Sequence, residues 1–199
     1  MAKKSSSVDK LINKVSSPRS AAGDQTVARV RELAWTGQHA PAIDLATQAL
    51  STPKLKPAEQ MDLLDLRAES YIALGKLDRA TKDAKAMMEL ARNPKSPITN
   101  KLHAQGLNRL ALVQMRTGDL KAAVKSAVSA LKAAQQSKQK PLIAESLFRL
   151  SEAQYRTQQS EAALETAQKA NILFHELGDL SGAGRAHWVL SLALFRLNR

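Results

Sequence analysis

The chain has no cysteine, so neither a disulfide nor a thiolate metal site can hold it together. That absence fits a reducing compartment, and the expected location is cytoplasmic. Aromatic residues make up only 4% of the 199 residues, and the 8 glycines and 7 prolines are few. Runs of Val, Ile and Thr of the kind strands use are missing, which excludes a strand-rich fold. No apolar stretch reaches bilayer-spanning length, and the opening Met1-Ala-Lys-Lys-Ser-Ser-Ser has no apolar segment behind its lysines. Neither a membrane partner nor a secretory leader is therefore expected. What remains is a chain 44% apolar, mostly alanine and leucine, which is helical composition with enough carbon to build a core.

The formal net charge is +12. Lys3, Lys4, Lys10, Lys14 and Arg19 against Asp9 make the first twenty residues basic, and the remaining charges alternate in sign along the chain. Alternation reads as a solvated surface. Nucleic-acid association through the basic surface is the rival reading, and it predicts binding that falls steeply with added salt. Residues 1–23 read as a basic tail in which Val8, Leu11, Ile12 and Val15 follow Ser7 at helical spacing, giving a possible short helix over 8–16.

From Asp24 onward one pattern recurs: Gly37…Ala42…Ala46…Ala49, Gly75…Ala80…Ala84…Met87, Gly118…Ala123…Ala127…Ala130 and Gln158…Ala163…Ala167…Ala170. A fixed period of roughly forty residues means a stack of one supersecondary unit. The spacing predicts helices over 24–36, 40–51, 57–74, 77–92, 98–117, 120–137, 141–157, 160–177 and 182–198. Gly37, Gly75 and Gly118 fall where helices should stop, because glycine takes positive φ without a Cβ clash. Gln158 in the fourth copy is expected to close its turn in another conformation. The alanines, at i, i+4 and i+7, line one face of each second helix and let neighbours approach closely.

Leu110-Ala111, Leu150-Ser151 and Leu190-Ser191 stand in the Leu-Gly position of the tetratricopeptide signature, and Tyr71 stands at its tyrosine. On these residues the segment 24–199 resembles the tetratricopeptide-repeat family, as four repeats plus the first helix of a fifth. The resemblance implies an all-α, right-handed superhelical solenoid of antiparallel helix pairs that binds a protein or peptide in its concave groove. Units near forty residues are similar to those of cell-polarity scaffolds, kinesin light chains and bacterial regulators. They suggest the N-terminal part of a larger bacterial signalling or regulatory protein.

Family geometry, aligned through the glycines, brings the first helices to the concave face in columns. One column holds Val27, Asp65, Asn108, Phe148 and Trp188; others hold Arg31 and Glu69, or Tyr155 and Phe195, or Trp35, Arg116, Arg156 and Arg196. Aromatic and arginine side chains dominate interface hot spots. The candidate partner-binding residues are therefore Arg31, Trp35, Asn108, Arg116, Phe148, Tyr155, Arg156, Trp188, Phe195 and Arg196, with Arg116, Arg156 and Arg196 reading carboxylates. Those three arginines also sit in the last turns of their helices, where the macrodipole alone favours a cation. Asp62, Asp65 and Glu69 share one helix face and read as a solvated surface rather than a Mg²⁺ or Ca²⁺ site.

Segment 183–197 is apolar on nearly every face, where a capping helix should be polar on one side. Either the array continues or this edge pairs with a second copy; the expectation is a piece of a longer array whose apolar edge forms a homodimer in isolation. Catalytic constellations do not assemble. His39, His103, His175 and His187 fall in different units, and neither a phosphate loop nor a Gly-x-Ser-x-Gly elbow is present. No catalytic site, metal or cofactor is expected.

Overall fold

The computed structural model describes residues 18–53, 55–92 and 99–198, with backbone alone for 18–23. The expected helix over 8–16 lies outside the described residues. Every regular element among the described residues is helical: α1 (Pro18–Trp35), α2 (His39–Leu50), α3 (Pro57–Ala73), α4 (Leu77–Leu90), α5 (Thr99–Thr117), α6 (Leu120–Ser137), α7 (Lys140–Arg156), α8 (Ser160–Glu176) and α9 (Leu180–Arg196). The predicted spans hold to within two residues except at α1, which starts six residues earlier. Pro18 opens it, and proline's fixed φ and missing N–H suit a first helical position. None of the described helices is long and apolar enough to cross a membrane.

Each helix packs on the next, and α1, α3, α5, α7 and α9 also pack on one another in turn, so these five form one layer and α2, α4, α6 and α8 lie outside it. The alanine pattern explains the spacing of the layers. Ala42, Ala46, Ala80, Ala84, Ala123, Ala127, Ala130, Ala163, Ala167 and Ala170 are all fully buried. A larger side chain at any of them would force neighbouring helices apart. The core is correspondingly a row of joints rather than one centre, as expected of a solenoid in which each unit touches only its neighbours. Val30, Ala46 and Leu63 fill the first joint, and Ala111, Met115, Ala127 and Leu150 fill a middle one. Phe148, Ala167, Phe174 and Val189 fill the last. At that last joint Gly182 lies against the Phe174 ring, where a Cβ would collide.

The hairpin turns repeat with the sequence. Gly37, Gly75 and Gly118 adopt φ of 78°, 70° and 86°. Gln158 does not use another conformation: its φ is 64°, and Asn198 follows at 54°. The turn is dictated by hydrogen bonds that do not depend on the side chain. Lys76 N donates to Tyr71 O (2.8 Å) and Gly75 N to Ile72 O (3.0 Å). Gln159 N likewise donates to Gln154 O (2.9 Å) and Gln158 N to Tyr155 O (3.1 Å). The fourth hairpin therefore takes the left-handed strain that glycine avoids in the first three.

Candidate partner-binding groove

The inner layer encloses a groove of about 1400 Å³, lined from Arg31 and Trp35 on α1 to Arg185 and Trp188 on α9. A smaller hollow of about 390 Å³ lies at its C-terminal end, between Tyr155, Arg156, Trp188 and Arg196. Of the column inferred through Asp65, the residues Asp65, Asn108, Phe148 and Trp188 line the groove together, and Asp62, Gln105, Glu145 and Arg185 form a further row along it.

Its floor is a ladder of ion pairs linking successive units. Arg109 of α5 is 8% exposed and reaches back to α3, donating from Nε to Asp65 Oδ1 (2.6 Å) and from Nη2 to Glu69 Oε2 (3.3 Å). Burial pushes its guanidinium pKa down, but the two carboxylates more than offset this and hold it above the ordinary arginine value. Within α7, Arg149 pairs with Glu145 (2.9 Å) and Glu152 (3.1 Å). Arg185 of α9 donates to the other oxygen of Glu145 (3.0 Å). Desolvation would raise the Glu145 pKa, yet Arg149 and Arg185 outweigh it and leave the carboxyl below its usual range. The guanidinium groups of Arg149 and Arg185 lie 4.9 and 4.7 Å from the Phe148 ring centre, so the aromatic is covered by cations.

This corrects the reading of the Asp62–Asp65–Glu69 face. It is not simply a solvated surface, because Asp65 and Glu69 are bound to Arg109 across the unit boundary. Asp62 is left half-buried. Desolvation raises its pKa and Asp65 adds to the rise, against Arg31, Lys101 and a hydrogen bond with Gln105. The sequence reading missed Arg109 and Arg149. Their signal was there, since both stand nine residues before a positive-φ position and forty residues apart, facing acids of the same period.

The ten candidate residues divide by exposure. Trp35 is 83% and Trp188 59% exposed, while Arg31, Arg116 and Arg156 are also open to solvent. Asn108 and Phe148 belong to the floor: both are buried, and Asn108 Nδ2 donates to Ser146 Oγ (2.9 Å). Tyr155 is half-buried under Arg196, whose guanidinium lies 4.0 Å from the ring centre and donates to the Tyr155 carbonyl (2.7 Å). Arg196 is thereby tied to α7, which leaves Arg116 and Arg156 as the freer guanidinium groups of the three. Arg156 keeps only a 3.8 Å approach to Glu152. Phe195 is 83% exposed but lines neither hollow.

The architecture is that of a tetratricopeptide-type helical repeat array, and solved structures agree. PlcR of Bacillus thuringiensis, solved in complex with the peptide PapR7 and DNA, superposes with a TM-score of 0.73 at 15% identity. The match covers 89% of this chain and 64% of that one. Aspartyl phosphate phosphatase F of Bacillus subtilis gives 0.71 at 16% identity, over 90% of this chain and 47% of that one. A signal transduction ATPase with a tetratricopeptide repeat sensor from Pyrococcus horikoshii gives 0.66 at 16%, over 84% and 26%. The chain thus spans less than two thirds of each of these proteins. No protein-family model matches the sequence, and no curated protein matches it either.

Proposed function

We propose that this array is a non-enzymatic, cytoplasmic interaction module whose groove takes an extended or helical segment of another protein. One observation carries the reading. The floor of the groove has neutralised its own charges in the Arg109 and Arg149–Arg185 clusters, while aromatic and arginine side chains stand exposed above it. A wall whose charged floor is already paired loses little when a ligand displaces water from it. Trp35 and Trp188 supply apolar anchors, Arg116 and Arg156 supply forks for carboxylates, and half-buried Asp62 favours a cationic group near α3. PlcR, whose fold is similar, has been solved with a peptide bound. The segment 24–199 is best divided as four helix pairs followed by the first helix of a fifth, within a larger bacterial signalling or regulatory protein.

The test is selection of peptides from a random displayed library, followed by titration against the wild type and a Tyr155→Ala/Arg156→Ala variant. Selected peptides should bind the variant at least tenfold more weakly, with affinity that depends only mildly on salt. Equal binding by a variant that keeps its helical circular dichroism would end the groove reading, and a steep salt dependence would revive the nucleic-acid alternative.

A further inference from the structure

Asp62, Gln105, Glu145 and Arg185 each stand thirteen positions before a left-handed residue, namely Gly75, Gly118, Gln158 and Asn198. They therefore take the same place on α3, α5, α7 and α9. Between α7 and α9 this row is closed from within, because Arg185 donates to both oxygens of Glu145, at 3.4 and 3.0 Å. Between α3 and α5 the acid is Asp62, and the residue in the place of that arginine is the uncharged Gln105. Arg31 and Lys101 act on Asp62 through space, and neither forms an ion pair with it among the described residues. Desolvation is thus left unanswered, and the Asp62 carboxyl stays above its ordinary pKa.

Two amides beside Asp62 turn their acceptor ends to the groove. Gln105 spends its donor on the Asp62 carboxylate. Asn108, only 6% exposed, sends Nδ2 to Ser146 Oγ (2.9 Å), a fully buried hydroxyl of α7 that does not line the groove. Its Oδ1 points the opposite way, and Gln105 and Asn108 both line the groove. Among the described residues no donor reaches Asn108 Oδ1 or Gln105 Oε1. Buried acceptors without donors are unfavourable, and so is a half-buried carboxylate without a cation. A group that carries several N–H donors and a positive charge answers all three, whereas an anion would meet only acceptors. Both α3 and α5 have an inner-layer neighbour on either side, so this stretch of wall is interior to the array.

We infer that Asp62, Gln105 and Asn108 form a subsite for a lysine or arginine side chain of the bound segment. The inference rests on the groove reading above and gives one ligand position its chemistry. The ligand's cation takes the place at Asp62 that Arg185 takes at Glu145. The groove runs on past the subsite to Trp35 on one side and Phe148 on the other. The cation therefore arrives on a side chain of a passing backbone rather than at a chain end. Six carboxylates and five guanidinium groups line the groove, so a cation meets less repulsion there than the net charge of +12 suggests.

Two peptide libraries displayed between folded domains, so that no peptide has a free amine, provide the test. One contains every residue type and the other lacks Lys and Arg. The wild type should draw from the first library peptides that share a Lys or Arg at one position. In a synthetic peptide of that sequence, replacing the Lys with norleucine or the Arg with citrulline should weaken binding at least tenfold. Asp62→Asn should weaken the unmodified peptide as much, with little further loss from the replacement. Gln105→Arg should supply the cation from within and abolish the preference. Asp78→Asn, at an exposed position on α4, should leave it unchanged. Circular dichroism checks that each variant is folded, and the replacement in the peptide tests the subsite on the wild type alone. Peptides selected without a shared cation would overturn the subsite and leave the groove reading standing, as would losses that simply add. Failure of both libraries to yield any peptide would remove the groove reading and the subsite with it.

Discussion

Replacing Gln158 with glycine isolates the backbone strain that this residue brings to the fourth hairpin. The residue sits at φ 64°, its side chain is exposed, and it makes no side-chain hydrogen bond that the substitution would remove. A left-handed conformation costs a residue with a Cβ about 1–2 kcal/mol. Glycine returns roughly half of that gain, because the unfolded chain becomes more flexible. Gln158→Gly should therefore stabilise the array by about 0.5–1 kcal/mol, which for a chain of this size raises Tm by about 1–4 °C. The reciprocal substitution, Gly75→Gln, should lower stability by a similar amount, since φ is 70° and an added Cβ meets nothing within 4 Å. Thermal and urea denaturation followed by circular dichroism measure both. A fall in Tm for Gln158→Gly, or no change for Gly75→Gln, would refute the argument that the hydrogen-bonded turn of the first two hairpins is imposed on the fourth.

Two further outcomes follow from the floor of the groove. Arg109→Met strands Asp65 and Glu69; their side chains are 36% and 57% exposed and recover water, so the loss should be about 1–3 kcal/mol rather than the 3–5 typical of sealed pairs. A double-mutant cycle with Asp65→Asn in urea should return a coupling of at least about 0.5 kcal/mol, and additivity would show the pair to be idle. The pH dependence runs in opposite directions at two carboxyls. The lowered pKa of Glu145 gives stability that is present above the ordinary carboxylate pKa and lost as pH falls through the folded value. Asp62, with a raised pKa, binds its proton more readily when folded, so its contribution improves as pH falls through that raised value. Asp62→Asn should stabilise the array at neutral pH, and the advantage should shrink in acid; denaturation midpoints across pH 3–8 read the sign.

Much of the architecture was legible in the chain itself. Small residues returning at a forty-residue period set where hairpins fall, because only alanine lets two helices come close at every joint. Helix limits followed from the same period, and the turns at Gly37, Gly75 and Gly118 followed from the one residue without a Cβ. Gln158 was misjudged because local preference favours glycine there, while the Gln159–Gln154 and Gln158–Tyr155 hydrogen bonds override that preference. The columns of the inner wall were also foreseeable, as residue types at a common phase.

What the tertiary structure alone decided is how that wall is spent. Whether Arg109 is a free fork or a buried link depends on Asp65 and Glu69, some forty positions away in the chain and 2.6 and 3.3 Å away in space. Arg196 and Phe195 are adjacent in sequence, yet the first folds back onto Tyr155 and the second is left in water. Burial and pairing are properties of neighbours across joints, and periodicity fixes which residues face inward without fixing which of them find a partner there.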